Sequence, residues 1–217
     1  LVCRRCGTVR PVVCQNCGSG ALSLIRPGVS RLREEIEAAA NRPVGVVTGD
    51  SESLPDCDVL IGTEAVLHRA GRADVVAFLD LDGELLAPRY RAAEQAMALL
   101  ARAARLVGGR SGGGRLLVQT FLPRHEVLQA VLHADPSRVA KVELSRRELL
   151  GLPPFAALAA VSGAGATEFA EATGLEASSS GDVVLLRAPT WDELGAAIAS
   201  TPRPKGSRLR IEVDPAR

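Results

Sequence analysis

Four of the five cysteines stand in two pairs, Cys3-Arg-Arg-Cys6 and Cys14-Gln-Asn-Cys17, with seven residues between the pairs. Gly7 and Gly18 each follow the second cysteine of a pair. A glycine there lets backbone N–H groups turn toward sulfur, and two such turns can gather four thiolates into the tetrahedron that structural zinc adopts. Reduced, unligated thiols or disulfides are the competing reading. A four-thiolate site leaves no open coordination position, so the zinc expected here is structural and not catalytic. Residues 1–20 carry too little apolar content to fold without such a staple. Cys57, between Asp56 and Asp58, reads as a packing residue.

The remaining residues that could do chemistry point mostly to bland roles. Asp80 and Asp82 leave one face of a strand end with no further ligand cluster, which predicts a solvated or capping role over a metal site. The glycine-rich stretch 108–114 lies between a helix and a strand, the reverse of the order in which a helix N-terminus meets phosphate, and is expected to be a flexible loop. His68, His125 and His133 are scattered and form no triad with a nucleophile. No G-x-x-x-x-G-K-[ST] phosphate loop occurs in the chain. Arg69, Arg72, Arg102, Arg105 and Arg110 supply local positive charge, and phosphate contact and ordinary solvation account for them equally well.

Totals bound these roles. With 26 basic against 25 acidic residues, any nucleic-acid contact must come from local patches, and 3% aromatic content makes base stacking minor. The 217 residues, 47% of them hydrophobic, suffice for a sizeable core plus a smaller second unit. No apolar run is long enough to span a membrane and no signal-peptide pattern opens the chain, which predicts a cytoplasmic protein. The chain opens at Leu1, just before Cys3, as a fragment or a truncated gene would.

Positioning these groups falls to alternating elements. Helical periodicity appears over 29–40, and short β-rich runs at 44–47, 58–62 and 75–81 suit strands covered on both faces. A helix over 90–107, with Ala93, Met97, Leu100, Ala104 and Val107 on one face, ends at Gly108-Gly109, and a strand at 116–120 and a helix at 126–133 follow. That alternation predicts a parallel α/β sheet. Beyond the turn at 135–137, a helix over 142–150 leads to Pro153-Pro154 and a small α+β domain of βαβαβ type. Its strands are expected at 156–162, 183–187 and 208–213, its helices at 167–173 and 191–200, and its loops at 174–182 and 201–207.

Several segments, read together, resemble the second half of the primosomal protein N′ (PriA) family of superfamily 2 DNA helicases. They are the two cysteine pairs; Asp58-Val-Leu-Ile-Gly62-Thr63-Glu64 with the strand 75–82, similar to the fifth helicase motif; Tyr90-Arg91-Ala92-Ala93-Glu94; Leu117-Val118-Gln119-Thr120 with Pro123 and His125; and Glu143-Leu144 through Arg147 to Leu152-Pro153-Pro154-Phe155. The resemblance implies a zinc-binding segment at 1–20, a RecA-like parallel-sheet helicase lobe 2 at 21–136 and a C-terminal α+β domain at 137–217. In that family eight cysteines bind two zincs in a nested order. Cys3, Cys6, Cys14 and Cys17 would then belong to different sites, completed from upstream.

The departures carry as much information. Counting back from Gln119-Thr120, Arg102, Arg105, Leu106 and Gly109 stand where a working sixth motif has Gln, Gly, Arg and Arg, so both arginine fingers are out of register, and Arg110 lies one residue late. His68-Arg69 replaces a Lys-Gly, and Gly28-Val29-Ser30 a Gly-Thr-Glu. The resemblance therefore implies a replication-restart protein that binds forked or single-strand/duplex junction DNA and helps load the replicative helicase without unwinding DNA itself. Implied partners are other primosome proteins, the replicative helicase or its loader, and single-stranded DNA-binding protein, at the nucleoid. Its rivals are a fragment of an active ATP-dependent helicase and a zinc-ribbon interaction module unrelated to replication.

Overall fold

The computed structural model describes residues 9–14, 16–20, 28–109, 112–206 and 208–215. Its contacts divide the chain into two units, Leu1–Gly71 and Arg72–Arg217. The boundary expected at 136–137 lies inside the second. No helix among the described residues is long and apolar enough to cross a membrane.

In the first unit, helix α1 (Val29–Ala40) ends at Asn41 in the left-handed conformation. Along it, Arg31 pairs with Glu35 at 3.0 Å and Arg33 with Glu37 at 3.3 Å, the i,i+4 spacing that supports an exposed helix face. The Glu37 carboxylate also accepts the Val44 N–H at 3.2 Å, fixing the turn into strand β1 (Val44–Val47). Strand β2 (Val59–Gly62) runs parallel to it, with Val44 opposite Val59 and Val47 opposite Gly62. The short helix α2 (Ala65–Arg69) follows.

The second unit begins with another parallel pair, β3 (Val75–Phe78) and β4 (Arg115–Val118), linked through α3 (Asp82–Leu85) and α4 (Ala92–Val107). Helix α4 buries Ala92, Ala93, Ala96, Leu100, Ala103 and Val107, so its inner stripe includes Ala96 and Ala103; Ala104 is exposed and Met97 only half-buried, a correction to the face read from sequence. With α5 (Glu126–Leu132) and Val139 of α6 (Ser137–Leu150), α4 builds one core around Leu81, Leu100 and Val127. Helix α6 starts five residues before its expected beginning because Asp135 accepts hydrogen bonds from the Ser137 N–H and hydroxyl, at 3.1 and 2.6 Å.

A second core lies in a four-stranded antiparallel sheet of order β6-β7-β5-β8, made of β5 (Ala157–Ser162), β6 (Glu176–Ser180), β7 (Val183–Ala188) and β8 (Arg210–Val213). Helices α7 (Ala166–Thr173) and α8 (Trp191–Ser200) contribute Phe169 and Leu194 to it. The expected βαβαβ order is corrected to βαββαβ, since 174–182 is not a loop throughout. Glu176–Ser180 pairs with β7 through a two-residue turn at Gly181-Asp182, Gly181 having φ +65°. An edge strand bonded on one side only tolerates the serines that made it read as loop. The mixed α/β class stands, with parallel pairs in the first half of the chain and an antiparallel sheet at its end.

Candidate functional site

Cys14 and Cys17 form a tight turn. The Gly18 N–H donates to the Cys14 carbonyl at 2.9 Å, the Cys14 N–H donates to Ser19 O at 2.8 Å, and Gly18 takes φ +70°, where only glycine is unstrained. Backbone N–H groups of Cys17 and Asn16, with the Cys17 side chain, face the Cys14 sulfur and hold its thiol below the usual cysteine range. Amides turned onto sulfur favour the thiolate, the form that ligates metal. This pair therefore fits half of a structural zinc site. Cys3 and Cys6 lie outside the described residues, and among those described no group of three or more potential ligands assembles.

The arginines divide. Arg69 is engaged internally, donating to the carbonyls of Gly49, at 3.0 Å, and Ser51, so it holds a loop of its own unit. Arg102 and Arg105 lie one turn apart on the exposed side of α4. Arg72 is exposed beside the end of that helix, since the Ala73 N–H donates to Leu106 O at 3.1 Å. Arg110 lies outside the described residues. Leu106 is half-buried and Gly109 exposed, so the described part of this segment places no guanidinium at the two register positions.

Asp82 caps the strand exit. Its carboxylate accepts the Thr120 hydroxyl and, at 2.8 Å, the Phe121 N–H, which together hold it below the usual carboxylate range. His125 accepts the Val127 N–H at 3.3 Å, so it caps α5. The Gln119-Thr120 to His125 stretch is thus a structural corner.

Among the described residues, one polar cluster joins segments far apart in sequence. Tyr90 Oη donates to Asp214 Oδ1 at 2.7 Å, Arg91 Nη2 reaches the same oxygen at 2.5 Å, and Arg91 Nε donates to Tyr90 Oη at 2.9 Å. The Arg91 and Arg147 guanidinium carbons each lie 5.2 Å from the Tyr90 ring centre, within cation–π reach. Burial alone would raise the Asp214 carboxyl, but the hydrogen bonds from Tyr90 and Arg91 outweigh it and leave the group below its ordinary range. Burial raises Tyr90, and donation to Asp214 adds to that.

Behind this clamp, helix α6 buries Glu143 and Arg147, 3% and 7% exposed, on the same side as Val139, and shows Val142, Leu144 and Leu149 to solvent. Arg147 Nη2 lies 2.9 Å from Glu94 Oε1 and its Nε 3.9 Å from Glu143 Oε2. Arg146 bridges Glu143 and, at 3.1 Å, Glu126. Burial holds the Glu143 carboxyl above its ordinary range, only partly offset by Arg146 and Arg147. Two clefts flank the cluster, one of about 440 Å³ beside His125, Glu126, Arg146 and Leu150, the other of about 170 Å³ between Tyr90, Leu158, Ser178 and Arg187. Tyr90, Arg91, Glu94, Glu143 and Arg147 all come from stretches that carried the family resemblance. Asp214, Glu126 and Arg146 were missed; the one available signal was that α6 lacks an apolar stripe.

No family model matches the chain. It is 32% identical to the probable replication restart protein PriA of Mycobacterium tuberculosis over 175 residues, 76% of this chain and 26% of that protein. To the probable replication restart protein PriA of Mycobacterium leprae it is 32% identical over 96% of this chain and 34% of that protein. The replication restart protein PriA of Bacillus subtilis is 27% identical over 74% of this chain and 22% of its own length. The chain thus spans between a fifth and about a third of the length of these relatives.

Proposed function

The chain belongs to the PriA family of replication restart proteins, as a C-terminal region, and from that premise we propose that it serves replication restart by holding branched DNA at stalled forks, without unwinding it. In this reading residues 21–136 are a degenerate RecA-like helicase lobe, supported by the parallel pairs β1–β2 and β3–β4. The protein works in the cytoplasm with other primosome proteins, the replicative helicase or its loader, and single-stranded DNA-binding protein.

One observation carries the proposal. Helix α4 presents Arg102 and Arg105 outward beside Arg72, where they can meet phosphates, while the family resemblance sets Leu106 and Gly109 at the places of the two arginine fingers. Phosphate contact needs only reach and charge, whereas stabilising a γ-phosphate in transit needs a guanidinium at a fixed point. Full-length protein is accordingly expected to bind forked DNA in a salt-dependent way. The Arg102→Ala/Arg105→Ala variant should lower the slope of log affinity against log salt by roughly one to two. ATP hydrolysis should not rise on adding fork DNA; robust DNA-stimulated hydrolysis would sink the non-unwinding reading.

Zinc completes the proposal as a structural ion. Cys14 and Cys17 would supply two thiolates of one site and Cys3 and Cys6 two of another, each closed by cysteines upstream. Metal analysis of the 217-residue chain alone is then expected to find zinc far below stoichiometric. A full equivalent per chain would overturn the split arrangement in favour of one self-contained site.

A further inference from the structure

The second unit contains two hydrophobic cores that, among the described residues, share no member: one around Leu81, Leu100 and Val127, the other around Phe169, Leu186 and Leu194. Polar contacts join them along one line. Asp214, at the end of β8, is held by Tyr90 and Arg91 at the start of α4. Arg187 of β7 donates to Leu150 O at 3.2 Å, and Arg147 of α6 to Pro153 O at 3.5 Å. Apolar residues near this line, Pro88, Leu152, Leu158 and Leu185, border the smaller cleft, and of these Leu158 is buried. The larger cleft opens beside the same line. The chain crosses it through residues 151–156.

We propose that this seam is a hinge closed by a latch, in which the Tyr90–Arg91–Asp214 clamp holds the antiparallel sheet against the helical layer and its release lets the two cores part as rigid pieces. Packed apolar surface resists separation over its whole area, whereas a seam held by a few charge-assisted hydrogen bonds opens once those few are lost. Asp214 has φ +52°, a left-handed conformation that aspartate adopts more readily than most residues, and its N–H is tied to Leu158 O at 2.9 Å. Because the clamp is electrostatic and partly exposed, salt weakens it, and any anion able to bridge Arg91 competes with Asp214.

Hydrogen–deuterium exchange on the full chain tests this. In Asp214→Asn, the amides of residue 214, Leu152 and Phe155 are expected to exchange about tenfold faster, while those of α4 and of β5 and β7 stay within about twofold of the parent. Raising salt should accelerate the same seam amides in the parent and much less in the variant. Tyr90→Phe, which removes one hydroxyl, should give a smaller rise at the same positions and serves if Asp214→Asn fails to fold. Faster exchange spread evenly through β5, β7 and α7 would show that Asp214 merely supports the sheet core. No change in either variant would show that the clamp holds nothing. Either result overturns the latch.

Discussion

Gly62→Ala is expected to destabilise the protein by about 3 kcal/mol or more, enough to abolish its folded first unit at ordinary temperatures. A Cβ at residue 62 would stand 1.7 Å from the Val47 carbonyl oxygen, 2.7 Å from its carbon and 3.0 Å from Val66 Cγ2. Nothing there can yield cheaply. Val47 and Gly62 are opposed in the parallel register, and the same carbonyl accepts the Thr63 N–H at 3.3 Å. Moving β2 outward would break that hydrogen bond and the ladder together. Gly49→Ala is the control, since an added methyl there meets nothing within 4 Å. Denaturant unfolding of the two variants should separate them clearly, and an unchanged midpoint for Gly62→Ala would contradict the register.

Arg147→Leu is expected to cost about 3 kcal/mol at neutral pH, because it leaves Glu143 buried with only Arg146 to neutralise it. The pH dependence gives the sign. Burial already raises the folded-state value of Glu143 above its unfolded one, and loss of a neighbouring cation raises it further. A carboxyl with a raised folded value is tolerated below the unfolded value and loses stability as pH rises through the folded one. The cost of Arg147→Leu should therefore shrink toward acid pH, and Glu143→Gln should remove that slope. Adding Glu143→Leu to Arg147→Leu should recover much of the loss, because two apolar groups leave no uncompensated charge. Equal costs at pH 4 and pH 8 would refute the buried-pair account.

The sequence was most legible where apolar pattern alone marks an element. Val44–Val47 and Trp191–Ser200 appear at their expected bounds, and α4 ends at Gly108 as periodicity and its glycine predict. It was least legible where polar residues do structural duty. Ser178 and Ser179 hid an edge strand, although Gly181-Asp182 marked a two-residue turn. Asp135-Pro-Ser137 read as a turn-rich junction, and α6 starts directly on it, with Asp135 accepting the Ser137 N–H. The cysteine spacing announced its turn directly. Glu94, Glu143 and Arg147 could be noticed as family-like stretches, but no local pattern pairs Tyr90 with Asp214, 124 positions away. Arg69 read as local surface charge, and it is exposed while also holding a loop through two carbonyls.

The buried charges of α6 bear on how this protein can be dissected. A fragment begun at Ser137 would carry off Val139 from the helical core and strip Arg147 of Glu94 and Arg146 of Glu126. The severed helix would then show Val142, Leu144 and Leu149 together with orphaned charges, a poor candidate for a soluble product. Severing the chain within residues 151–156 would instead leave each hydrophobic core with all its members. Helix α6 travels with the segment before it, although its sequence neighbours on the other side look like its kin.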